Sequence, residues 1–333
     1  MLQEGAHATL HEGPPDNRRM HLLIPFASAL SQEVVQVLPR LTLPNLARLL
    51  QRLAPAARDE ADAYSLSPPH ERALAAQWGW RGADGALPFA AKAAADDGID
   101  VEDRAWGLVT PAHWNVGREH VSMADPAALA LEEAESRALF EAVRELFEGE
   151  GFEWAWGAAD RWYAAHPRLD GFASASLDRV IGRNVDFWLD AGSRGRPEGA
   201  LMRRLQSEVQ LLLYPHPINE AREARGELAV NSFWLSGCGV AQPAAGAGVS
   251  IEPGLRGPLL DGDTAAWTQA WSALDAGAVA ELRRRLERGD PDVALTLCGE
   301  RAAQRYEAAA RSLWQRLRID RRMPAVPSVL EAL

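Results

Sequence analysis

The sequence predicts an α/β fold, with a mixed sheet flanked by helices. Three observations carry this. Short apolar runs alternate with stretches whose apolar residues recur at helical spacing. Proline, glycine and asparagine punctuate those runs where turns are needed. The chain has 333 residues, 47% of them hydrophobic and 24% charged, enough to bury a sizeable core. The expected organisation is a disordered leader over 1–19, then a single α/β domain over 20–333 with a helical N-terminal lobe.

Each element has its own signal. Leu22–Phe26 reads as a short buried strand, Pro44–Leu53 as a helix with proline in its first turn, and Pro68–Trp78 as a helix capped by Ser67. Leu108–Thr110 and His120–Met123 flank a turn at Val116-Gly117 and are expected to pair as a hairpin. Asp125-Pro126 opens the clearest helix, with Leu129, Leu139, Phe140, Val143, Leu146 and Phe147 in phase and Gly149 at its end. Phe152–Trp156, Arg161–Ala165 and Val185–Leu189 read as strands, and Gly192–Gly199 as a loop. Downstream come a flexible stretch over Ala241–Gly248, a long helix over Asp263–Gly289 bearing Trp267 and Trp271, and a strand over Asp292–Cys298. Most of the twelve tryptophans, Trp154, Trp156, Trp162, Trp188 and Trp234 among them, are expected in the core or in groove walls.

Composition excludes several functions. A net charge of −11 disfavours nucleic acid, whose phosphates demand concentrated Lys and Arg. The basic runs Arg283–Arg285 and Arg318–Arg322 fall at expected helix ends, where cations suit the macrodipole. No apolar run approaches the ~20 residues of a membrane span, and no secretory signal opens the chain. Cys238 and Cys298, far apart, form neither a disulfide framework nor a zinc site, and a reducing cytoplasm is the expected location. There is no G-x-S-x-G elbow, Walker loop, CxxC pair or dinucleotide loop, so no cofactor is expected.

Polar chemistry concentrates between Leu205 and Gly239. A helix is expected to end at Tyr214, because Pro215 and Pro217 cannot continue it. Asn219 would cap a short helix over Glu220–Arg225 stopped by Gly226, and Val230–Leu235 would be a strand opening into Gly237-Cys238-Gly239. His216, Asn219, Arg222 and Asn231 are the leading ligand-binding candidates. Arginine offers a planar fork to a carboxylate or phosphate, asparagine both a donor and an acceptor, and histidine a charge that switches near neutrality. The competing reading is structural, with His216 and Asn219 as caps and Arg222 paired to Glu208 or Glu223. His113 and Trp114, in a turn beside Arg118, and Asn184 and Asp186, sharing a strand face with Trp188, are further candidates to line the same cleft.

These residues carry a resemblance. His216-Pro217-Ile218-Asn219, Ala221–Gly226 and Val230–Leu235 resemble blocks written HPVN, AREARG and VNSLWLWGGG in the RpfE-type bacterial regulatory proteins. The likeness continues in Pro68–Leu74, Thr110–Gly117 and His120–Pro126 and spans roughly His21 to Trp314. The same block is more faintly similar to archaeal-type cofactor-independent phosphoglycerate mutases of the alkaline phosphatase superfamily, which implies a degenerate form of that scaffold. Those mutases open with a strand bearing a metal-binding aspartate, whereas His21–Ser28 holds no carboxylate. Two-metal phosphoryl transfer needs carboxylates and imidazoles converging on ions about 3.5–4 Å apart. Asp261-Gly262-Asp263, the best remaining carboxylate pair, reads as a turn. The resemblance thus implies a non-catalytic regulatory protein with a small-anion pocket and a protein partner. A phosphoryl-transfer enzyme of the mutase type is the alternative.

Overall fold

In the computed structural model of the chain, residues 20–193, 196–245, 248–308 and 325–333 are described; the leader and Arg318–Arg322 lie outside them. The chain packs as two units. One unit gathers residues of 1–58, 246–258 and 264–333, and the other Asp59–Ala245 with Leu259–Asp263.

The first unit is built on a five-stranded mixed sheet in the order Leu53–Glu60, Ala302–Ala308, Val293–Cys298, Met20–Ile24, Val249–Ile251. Met20–Ile24 runs parallel to both neighbours, with Leu22 opposite Leu295 and Ile24 opposite Leu297. Those four apolar residues, like Leu23, have no exposed surface, as expected of central strands covered on both faces. Helices Gln32–Val37, Pro44–Leu50 and Val326–Glu331 belong to this unit. The long helix expected from Asp263 is observed as Thr264–Leu274 and Ala280–Glu287 joined by a π-helical turn over Asp275–Val279. That turn has a purpose: it holds buried Asp275, whose carboxylate accepts from the Asn45 and Leu46 backbone N–H groups at 3.1 and 2.8 Å, capping the Pro44 helix. Trp267 and Trp271, four apart, are fully buried and meet edge to face.

The second unit carries a four-stranded antiparallel sheet in the order Glu153–Ala158, Arg161–Ala165, Ala105–Ala112, Ser232–Val240, and a separate hairpin. Helices Glu133–Glu148 and Pro197–Leu213 pack together, and Phe140, Phe147, Trp154 and Trp162 form the aromatic centre of the core. Phe147 stacks on Trp154 at 4.2 Å. The mixed α/β architecture expected from sequence is therefore present, with helices flanking the sheets.

Several local expectations are corrected. Leu108–Thr110 does not pair with His120–Met123: it belongs to the Ala105–Ala112 strand, and the hairpin is Trp114–Val116 with Val121–Met123. Asp125 caps only a 3-10 turn, Pro126–Leu129, before Ala130 at φ 44° breaks it and the helix restarts at Glu133. Val185–Leu189 is not a strand but part of a helix, Val185–Ser193, whose first turn is fixed by the Asn184 side chain accepting from the Asp186 N–H. Val185 and Trp188 are buried while Asp186 and Phe187 are exposed, a spacing of three that five residues cannot distinguish from alternation. Pro197 to Gly199, read as loop, begins a helix. Ser67 does not cap the Pro69–Trp78 helix; its hydroxyl accepts from the Gly85 N–H instead. Cys238 sits inside its strand rather than in a loop.

Candidate functional site

The segment richest in polar residues folds into a helix, Pro217–Ala224, and the Ser232–Val240 strand. Its cap is His216, not Asn219: Pro217 takes the first helical position, where a missing N–H costs nothing, and His216 Nδ1 accepts from the Ile218 N–H at 3.3 Å. Burial lowers the His216 pKa, so its neutral, accepting form is favoured. Asn219, 2% exposed inside the helix, donates to the carbonyls of Leu213 and Val230, each at 2.8 Å, and accepts from the Val230 N–H at 2.9 Å. Arg222 is 1% exposed and neither expected glutamate is its partner. Its three nitrogens donate to the Leu228 carbonyl, the Glu135 carboxylate and the Leu129 carbonyl.

Asn231 and the turn at His113 do come together. The Asn231 amide takes the Trp114 N–H at 2.7 Å and gives a hydrogen bond to the Trp114 carbonyl at 3.0 Å, imitating a strand partner. His113 Nδ1 donates to the Ala229 carbonyl at 2.7 Å. Asn184 immediately precedes the helix described above and Asp186 lies on it, so they share no strand face with Trp188. The side chains of His216, Asn219, Arg222, Asn231, His113 and Asn184 bond to protein groups, Trp114 Nε1 is buried without a partner, and none of the eight lines the cleft described next.

That cleft measures about 480 Å³ and lies along the Pro69–Trp78 helix in the second unit. The helix starts at the second of two prolines, Pro69, and its next three residues are the consecutive ionisable His70, Glu71 and Arg72. Successive helical residues point about 100° apart, so the three cannot share one environment. Arg72 lines the cleft, donating from Nη1 to Ser65 Oγ at 3.0 Å and to the Ser67 carbonyl at 2.5 Å, and from Nε to Asp59 at 2.6 Å. Arg179, 3% exposed, also reaches Ser65 Oγ, from Nη2 at 3.0 Å. Two guanidinium groups thus converge on one neutral hydroxyl oxygen at the cleft wall.

Behind that convergence sits a compact titratable cluster. Glu71 is half-buried as a residue, but its carboxyl is enclosed and accepts from Ser176 Oγ at 2.5 Å. Burial, against the opposing pull of His70, Ser176 and Arg179, raises its pKa to about 7. His70 Nε2 lies 3.3 Å from Asp178. A strongly shifted carboxyl beside a cleft with cationic groups is the pattern of a functional site. In the sequence this motif carries the family resemblance and matches no recognised site pattern. The missed signal was the run of ionisable residues at a helix start.

Among the described residues no group of three or more His, Cys, Asp or Glu is placed to hold a metal ion. No protein-family model and no curated protein matches the chain. Among solved structures, the chain is similar to the cofactor-independent phosphoglycerate mutase from Thermoplasma acidophilum DSM 1728, at 15% identity over 93% of this chain and 94% of that one, with a TM-score of 0.35. It is also similar to the PH0037 protein from Pyrococcus horikoshii, at 15% identity over 88% of each chain and a TM-score of 0.41. Likenesses this remote transfer neither an activity nor a residue role.

Proposed function

We propose that the protein is a regulatory protein of the RpfE type that binds a small anion without transforming it and passes the bound state to a protein partner. The observation that carries the anion reading is the meeting of Arg72 and Arg179 on Ser65 Oγ beside an open cleft. A guanidinium is a planar, permanently charged donor suited to carboxylate or phosphate. The reading therefore places the pocket at Arg72 and gives the Arg222 constellation the task of holding its helix. The regulatory role rests on the sequence resemblance alone.

The test is a thermal-shift titration with acetate, inorganic phosphate and 3-phosphoglycerate, each with and without Mn²⁺. At a ligand concentration one hundred times Kd, native-state binding stabilises by about 2.7 kcal/mol. Stabilisation without metal, lost in Arg72→Gln and kept in Arg222→Lys if that variant folds, is the expected result. Stabilisation only by Mn²⁺ together with 3-phosphoglycerate would replace this reading with phosphoryl transfer.

A further inference from the structure

Resting on the anion reading, we infer that the ligand of the Arg72 cleft is an amphipathic carboxylate, a charged head on an apolar body of several carbons, and not an inorganic oxyanion. Size argues first. About 480 Å³ falls in the range that encloses organic ligands, well beyond what a lone phosphate or acetate fills. The walls argue second: Ala61, Ala75, Ala76, Trp80 and Leu87 present apolar surface along the cleft. Trp80 is a fixed wall, 6% exposed and braced at 4.7 Å by Trp78 and edge to face at 5.2 Å by Phe89.

Charge sets the polarity of the occupant. Arg72 and Arg81 both line the cleft, and the Arg81 guanidinium makes no hydrogen bond or ion pair to a described residue. The one carboxylate in the lining, Asp84, accepts from the Leu66 and Ser67 backbone N–H groups, both at 2.8 Å, so its charge is already compensated by the loop it holds. Asp59 is the competitor: its carboxylate, half exposed, accepts from Arg72 Nε at 2.6 Å. Head toward the arginines and body along Trp80 is the orientation these groups select.

Isothermal titration calorimetry of the full chain with acetate, butanoate, hexanoate and octanoate, together with inorganic phosphate and octanamide, tests this. Affinity should rise along the carboxylate series by about three- to fourfold per methylene buried, with octanoate binding at least tenfold tighter than phosphate or octanamide. Asp59→Asn should tighten octanoate severalfold by removing the competing carboxylate. Ala76→Trp, a change at an exposed helical position on the cleft, should abolish binding with the circular dichroism spectrum unchanged. A flat series, or phosphate binding as well as octanoate, would overturn the apolar body and leave the anion reading standing. Octanamide binding as well as octanoate would remove the anion reading, and no heat from any titrant would remove both. Octanoate binding unaltered by Ala76→Trp would place it outside this cleft and overturn the inference.

Discussion

Single residues set the expected response to pH, and two of them act in opposite directions. Glu71 has its pKa raised to about 7 by burial, so the native state holds a proton there that the unfolded chain releases near pH 4.5. Its contribution to stability is complete below pH 4.5 and is lost as pH rises through 7, on the order of 3 kcal/mol across that window. Glu71→Gln, which keeps the size and the hydrogen bonding of the protonated acid, should leave the urea midpoint unchanged at pH 5 and raise it at pH 8.5. His21 runs the other way. Burial, aided by the charge of Arg305, lowers its pKa to about 4, and its Nε2 meets Thr296 Oγ1 at 2.7 Å. Its contribution is present above pH 6.5 and is lost as pH falls through 4. Neither shift was legible in the sequence, where Glu71 stands between His70 and Arg72 and His21 beside Leu22, and nothing encodes what the fold lays over them.

At the scale of elements, the sequence announced helices and strands wherever several periods of pattern accumulated. Glu133–Glu148 lies inside a stretch read that way. It failed where five residues had to decide, as at Val185–Leu189, and where a proline was taken only as a stop, as at Pro217, which opens a helix. Asn219 and Arg222 were legible as special but not as to why: their partners Val230, Leu129 and Glu135 come from other segments, 11, 93 and 87 residues away. The Pro217–Ala224 helix has two and a bit turns and could not persist alone in water. Arg222→Met should therefore leave Glu135 with Arg225 alone and strip the Leu228 and Leu129 carbonyls of their donor, costing about 3 kcal/mol in urea unfolding. A double variant with Glu135→Leu should recover only a small part of that loss, because the carbonyls stay unpaired. His216→Ala, which deletes only the cap, should cost about 1 kcal/mol.

The whole molecule offers one thiol in each unit, Cys298 in the first and Cys238 in the second, both buried. Burial pushes the Cys238 thiol pKa up, so it resists alkylation while folded. After equilibration in denaturant at pH 5 or 8, a brief alkylating pulse at pH 8 read by mass spectrometry reports each unit separately. The expected outcome is two midpoints rather than one, as multidomain chains depart from two-state unfolding. Going from pH 5 to 8, the Cys298 midpoint should rise, following His21, and the Cys238 midpoint fall, following Glu71. A single midpoint that ignores pH would mean that neither group governs its unit. The arrangement of the first sheet has a further consequence, during biosynthesis. Strand Met20–Ile24 leaves the ribosome early, yet its central neighbour begins only at Val293, and all of Asp59–Ala245 is made in between. At ordinary translation rates that strand waits roughly 15–50 s for its partner, a nascent apolar segment that the cell must shield while the inserted unit is already complete.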